Sequence, residues 1–396
     1  MEWIKRWMPL VAVLLLAFNL RPVAVSVGPV LSDIVTDLGM GGAAAGVLTS
    51  LPALCFAVFG SLAPELGRRL GQHRTVGLAL VLLAAGQVGR VFADGPWTFL
   101  VLSVVALAGM ALGNVLLPSL VRRHFPNRVS LATSLYSLFI AIGVTTASVA
   151  TVPLAIALGG WRGAFAAAAT VGLAALVCWI PMLRHNRPHS SRTPGQVHHS
   201  LVDVARTRVG WAMALYFGMQ SAHAYSVFGW LPTIFMDAGV SQVDAGLLQG
   251  VVTGLGIVTA FVVPVWVGRV AEPVGLLLGI NALLTLAFLG LILAPTAAPL
   301  LWAVLLALGL SGFPFFLALV GTRARTPSGT AALSGFAQSV GYAVSAVGPL
   351  AMGILHQTFS DWTVPLLLQL SLVVPMTILG VHISRRWFIE DRIGAR

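Results

Sequence analysis

The sequence predicts an all-α membrane protein in which twelve transmembrane helices form two pseudo-symmetric six-helix bundles. Three observations predict it: a composition too apolar for water, twelve apolar segments long enough to cross a bilayer, and a second half that repeats the first. Of 396 residues, 58% are hydrophobic and 9% charged, where a soluble domain has about a quarter charged. Such a chain belongs in lipid. The formal charge of +11 would point to nucleic acid only if the basic residues clustered on one soluble face. They are spread along the chain, so the expected partners are the lipid bilayer and a small solute, with no nucleic acid. Cys55 and Cys178 both lie in apolar runs, where a thiol behaves as a small hydrophobe.

Segments of about 20 apolar residues cover a hydrocarbon core of roughly 30 Å. They fall near 9–34, 43–63, 75–93, 97–121, 130–158, 162–183, 209–236, 243–266, 274–294, 299–320, 329–357 and 363–384. The first begins like a signal peptide, but no small-residue cleavage site follows before the chain continues apolar, so it is expected to stay as a membrane helix. Connections are short except 184–208, "RHNRPHSSRTPGQVHHSLVDVARTR". This polar stretch with Pro and Ser reads as a cytoplasmic linker between one bundle over 1–183 and another over 209–396. Its histidines, His189, His198 and His199, stand in a loop without cysteine, so no metal and no cofactor are expected.

The basic residues orient the chain. With the N-terminus in the cytoplasm, the inner loops and tails hold all of the 23 Lys and Arg except Arg21, Arg90 and Arg162. The outer connections carry Asp37, Asp94, Asp237, Asp244 and Asp361. That is the positive-inside bias carried through every crossing. Both termini are therefore expected in the cytoplasm, and the basic pI reflects topology.

The two halves repeat. "LGNVLLPSLVRRHFP" ends at Pro126 and "LSGFPFFLALVGTRARTP" at Pro327, while "GGWR" and "SDWT" place Trp161 and Trp362. Each pair lies 201 positions apart by the numbering. Parallel repeats related by an axis along the membrane normal put a site at the midplane, between the halves. Nothing in this design requires more than a monomer.

Local motifs sharpen the picture. "GSLAPELGRRLGQHR", residues 60–74, resembles the helix 2–3 motif of the major facilitator superfamily. Gly60, Gly67, Arg68 and Arg69 match it; Pro64 stands where the family has Asp, and Glu65 follows as the acid able to substitute in the motif's gating role. A solvated basic loop is the alternative. "NLRP" in helix 1, "GNVLLPSLVRRHFP" in helix 4, "LYS", "VPLA" and "GWR" around helix 5, "WLP" ending helix 7 and "GYAVSAVGPLAMGILHQ" in helix 11 are similar to the cyanate and 2-nitroimidazole porters of that superfamily. The resemblance implies the major facilitator fold, secondary transport by alternating access, a small planar or anionic solute and the bacterial inner membrane.

Arg21 is the residue around which a site can be built. Counted from Pro9 at 1.5 Å per residue, it lies about 18 Å into the membrane, where burial costs at least about 2.5–3.5 kcal/mol. No carboxylate shares its depth: Asp33 is roughly 18 Å further outward. An unpaired central arginine facing a cavity is a standing anion site, and its planar fork suits a small oxyanion, a carboxylate or a linear anion. The alternative is a structural arginine bonded to helix carbonyls. Asn19 lies beside it, and Pro22 deletes a helix hydrogen bond next to it.

Opposite groups come from the second half. "YFGMQSAHAYSVFGWLP" places Gln220, His223 and Tyr225 near mid-depth of helix 7, and polar residues there are costly and often functional. His223 offers either a titratable charge beside Arg21 or an interhelical hydrogen bond. Gln338 and Tyr342 are four apart and share a face of helix 11. Asn114 and Tyr136 are further candidates from the first half, nearer the inner side.

Catalysis has no comparable support. No helix carries paired carboxylates, no Gly-Lys-Ser/Thr phosphate loop is present, and no Cys/His metal spacing appears. The driving force stays open between proton coupling, through His223 or the Arg21–solute pair, and flow down a gradient. Efflux of neutral drugs is the alternative function, with a larger aromatic cavity indifferent to Arg21 as its signature.

Overall fold

The structure, a computed structural model, describes residues 2–185 and 200–394. The linker histidines His189, His198 and His199 lie outside the described residues. Eleven helices are long and apolar enough to cross a membrane: α1 Met8–Leu38, α2 Gly42–Leu70, α3 Gln72–Val91, α4 Pro96–His124, α5 Leu131–Ala157, α6 Trp161–Arg184, α8 Gln242–Arg269, α9 Val274–Leu293, α10 Pro299–Thr322, α11 Ser328–Phe359 and α12 Thr363–Ser384. The remaining crossing, α7, spans Arg208–Asp237. Its 30 residues are long enough, but Gln220, Ser221, His223 and Ser226, all buried, make it the most polar of the expected crossings.

Backbone chemistry explains most boundaries. Gly39 and Ser360 adopt left-handed conformations, φ 62° and φ 57°, and end α1 and α11. Thr207 and Ser241 side chains accept from the N–H groups of Gly210 and Asp244, so α7 and α8 start there. The second and first helices run past their apolar segments, to Leu70 and Leu38, because the extra turns are amphipathic and extend beyond the hydrocarbon. Bulky apolar residues such as Val258, Phe261, Val262, Trp266, Val374 and Ile378 point outward, as a lipid-facing surface requires.

Four helices are interrupted where sequence alone placed a continuous crossing: α10 between Gly309 and Gly312, α11 at Ala346, and α1 and α2. In α1 the helix breaks at Arg21, restarts over Pro22–Val25, passes through a 3₁₀ turn at Gly28–Val30 and resumes at Leu31–Leu38. In α2 a π-helical turn occupies Phe56–Gly60, a feature frequent at functional sites.

The halves close on one another at the side away from the termini. There the Ser50 hydroxyl of α2 donates to the Ala346 carbonyl of α11 at 2.8 Å, and the Ala43 N–H donates to Gln357 Oε1 at 3.1 Å. Gln242 Nε2 of α8 donates to Asp33 at 2.8 Å and to the Pro29 carbonyl at 3.2 Å. The backbones come close enough that a Cβ on Gly42 would sit 2.8 Å from the Gly353 carbonyl oxygen. Small residues permit that approach, as usual between membrane helices.

Candidate functional site

A small cavity, about 50 Å³ in volume, lies between α1, α2, α4 and α5 of the first half and α7 of the second. Arg21 lines it, and is the one charged side chain among the lining residues. The break in α1 is what puts it there. Pro22 has no N–H to give to the Phe18 carbonyl, and the Arg21 carbonyl accepts from both Ala24 at 3.0 Å and Val25 at 3.2 Å, which tightens the turn after Arg21.

No carboxylate pairs with Arg21 among the described residues. Its guanidinium carbon lies 5.8 Å from the centre of the Phe313 ring on α10, and its buried Nε has no hydrogen-bond partner. A guanidinium carries five N–H donors and no acceptor. Donor capacity facing a cavity with no protein anion to absorb it is what an anionic or electron-rich solute needs.

Tyr225 completes the polar side. It lines the cavity, and its ring centre is 6.3 Å from that of Tyr342. Tyr342 is fixed by two further rings: it stacks on Phe56 at 4.9 Å and 17° and meets Phe217 edge-on at 4.9 Å and 82°. The aromatic wall therefore joins α2, α7 and α11 across the interface.

The other sequence candidates lie elsewhere. Asn19 is buried, with Nδ2 donating to the Leu15 carbonyl at 2.9 Å and to Val171 at 3.4 Å; it ties α1 to α6. Gln220 donates to the Leu310 carbonyl at 2.9 Å and supports the interruption in α10. His223 Nδ1 lies 2.8 Å from Gln369 Oε1, Gln369 in turn reaches Ser226, and the imidazole packs 5.4 Å from Phe288. That places His223 inside the second bundle, away from Arg21. Gln338 donates to Ser334 at 2.6 Å, Tyr136 packs against the Leu117 and Leu120 cluster, and Asn114 is half-buried one turn from Met110; none of the three lines the cavity.

Glu65, Arg68 and Arg69 come together at the terminal end of α2. Arg68 Nε donates to Glu65 at 2.9 Å, and Arg69 bonds the other carboxylate oxygen. All three are exposed on the terminal side, far from the cavity.

Sequence reasoning missed the contribution of α2. Thr49, Pro52 and Phe56 line the cavity, Thr49 bonding the Ala45 and Gly46 carbonyls at 3.1 and 3.0 Å. A proline and a threonine inside an apolar crossing were the available signal.

Comparison with known proteins identifies the family and the fold. Residues 11–349 match the Major Facilitator Superfamily. The chain is 35% identical over 95% of its length to the "Uncharacterized transporter YycB" of Bacillus subtilis (strain 168), covering 93% of that protein. It is 33% identical to the "2-nitroimidazole transporter" of Escherichia coli (strain K12), over 94% of both chains. Against the "Cyanate transport protein CynX" of the same organism identity is 27%, over 96% of this chain and 100% of the other. Among solved structures, a bacterial homolog to the human lysosomal transporter Spinster, in an inward-facing and unoccupied conformation, superimposes with a TM-score of 0.80 at 16% identity and 98% coverage of both chains. That likeness establishes the fold.

Proposed function

We propose, from the fact that this chain belongs to the major facilitator superfamily and within it to the group of the 2-nitroimidazole and cyanate transporters, that it carries a small anionic or planar solute. The chain is a multi-pass membrane transporter and not an enzyme. In our reading Arg21 anchors the solute through charge and paired N–H donors, Tyr225 and Tyr342 bound it, and Thr49, Pro52 and Phe56 shape the wall. The bundles over 1–183 and 209–396 rock about this site in the bacterial inner membrane, joined by a cytoplasmic linker at 184–208, with both termini cytoplasmic.

One observation carries the reading: among the described residues the cavity between the halves is lined by a single charged side chain, an arginine without a carboxylate partner. A neutral-drug exporter gains nothing from paying the desolvation of that charge. The solute supplies the missing partner, so binding and compensation of the charge are the same event.

Flux into proteoliposomes tests it. Wild-type protein is expected to give saturable uptake of cyanate, 2-nitroimidazole or a small carboxylate, and Arg21→Ala to abolish it. Equal transport of a neutral aromatic compound by both proteins would contradict the proposal and favour neutral efflux.

A further inference from the structure

Arg90 is a second arginine buried in the membrane, and neither orientation nor the cavity accounts for it. It lies on α3, is 2% exposed and has no ion-pair partner among the described residues. Its guanidinium carbon is 5.6 Å from the centre of the Phe99 ring and 5.9 Å from that of Phe165. Nη1 donates to the carbonyl of Val23 on α1 at 3.0 Å, while Nε and Nη2 are buried with no hydrogen-bond partner. Stability alone would favour an apolar side chain here, because two buried donors go unpaired. What the charge achieves has to be sought on α1.

The backbone around the break shows it. Ala24 and Val25 donate to Arg21, Ser26 donates to Pro22, and the next such bond runs from Val30 to Val27. The Val23 carbonyl is left to Arg90. In a continuous helix that carbonyl would accept from the N–H of residue 27; a side chain inserted at this rung holds the helix open, a known cause of sharp kinks. Val23 lies two residues beyond Arg21 and directly before Ala24 and Val25, which line the cavity.

We infer that Arg90 is a positioning residue for Arg21: by capping the Val23 carbonyl it keeps α1 open just beyond the turn that Pro22 starts, and so holds the Arg21 side chain in the cavity. The inference rests on Arg21 being the solute anchor, but its geometric content does not depend on which solute is carried. Arg90 itself lies behind the cavity wall and touches no solute.

Thiol labelling tests it without a solute. In a Cys55→Ala, Cys178→Ala background, Arg21→Cys is labelled with a negatively charged methanethiosulfonate. Adding Arg90→Met is expected to slow labelling at least about tenfold, the consequence of losing one hydrogen bond to a charged group. Arg90→Lys, which keeps a donor within reach of Val23, restores most of the rate. Thermal unfolding of Arg90→Met should stay at or above that of the parent. Should that variant fail to fold, Arg90→Leu replaces it, with the same slow labelling expected. Unchanged labelling in folded Arg90→Met or Arg90→Leu overturns the inference, as does failure of both to fold while Arg90→Lys folds, which would make Arg90 purely structural. Loss of flux in Arg21→Ala with unchanged labelling removes Arg90 alone. Normal flux in Arg21→Ala removes the anchor and leaves the labelling result to stand by itself.

Discussion

At the scale of single residues, three arginines depart from the inner-loop distribution, and each meets its membrane cost differently. Arg162 pairs with Asp37 and lies 4.4 Å from the centre of the Trp161 ring; it is an anchor at the rim. Arg90 is spent on a backbone carbonyl and two aromatic rings. Arg21 alone faces a cavity. His223 shows the reverse case, a residue whose depth pointed to the site and whose contacts do not. We expect His223→Ala to lower stability by about 1–3 kcal/mol, because it strands the buried Gln369 carbonyl oxygen, and to leave solute affinity and its pH profile unchanged. Thermal unfolding beside a binding titration checks this; a flattened pH profile would restore the histidine to the site. The difference between Arg21 and His223 was not legible in sequence for a physical reason. Depth follows from a rise of 1.5 Å per residue, but the direction a side chain takes around the helix does not. Lipid and protein interior are about equally apolar, so no hydrophobic stripe marks which face is inside.

At the scale of elements, the crossings were legible because length and apolarity set them, and Pro22 marked the break at Arg21. The opening at Val23 was not, since it depends on a neighbouring helix supplying Arg90, and the π turn in α2 left no mark in the sequence. The far-side closure depends on glycine at close crossings. A Cβ on Gly28 would run into the Phe228 carbonyl oxygen and lie 3.3 Å from Gln249 Oε1. Overpacking costs about 1–3 kcal/mol, so Gly28→Ala should shift the population roughly five- to a hundredfold away from the closed far side. A cysteine at Thr36, in the cleft on that side, should then react faster with an impermeant thiol reagent. No acceleration would show that this crossing does not control closure.

The short helix Ile389–Gly394 supplies a pH test. Partial burial pushes the Glu390 carboxyl up, but its own backbone N–H, those of Arg325 and Thr326 and the Thr326 hydroxyl outweigh this, holding it below the usual carboxylate range. Its folded pKa is therefore depressed, so the docking it provides is complete above the ordinary carboxylate pKa and is lost as pH falls through the lower folded value. Protection of the Arg325 and Thr326 amides relative to their intrinsic exchange rates should fall on acidification and be low at neutral pH in Glu390→Gln. Protection that is insensitive to both would remove Glu390 from the contact.

At the scale of the whole molecule, two bundles meeting at one end around a cavity are the form an alternating-access carrier takes, and we propose that the arginine gives that form its chemical preference. The most direct test is calorimetric titration of purified wild type, Arg21→Lys and Arg21→Ala with cyanate, 2-nitroimidazole and small carboxylates. A hydrogen bond to a charged group is worth about 1.5–3 kcal/mol, or at least about tenfold in affinity. Arg21→Lys keeps the charge without the fork and should bind partially, while Arg21→Ala should lose binding yet unfold near the wild-type temperature, since removing an unpaired charge strands no partner. Wild-type affinity in Arg21→Ala, or its failure to fold, would contradict the account.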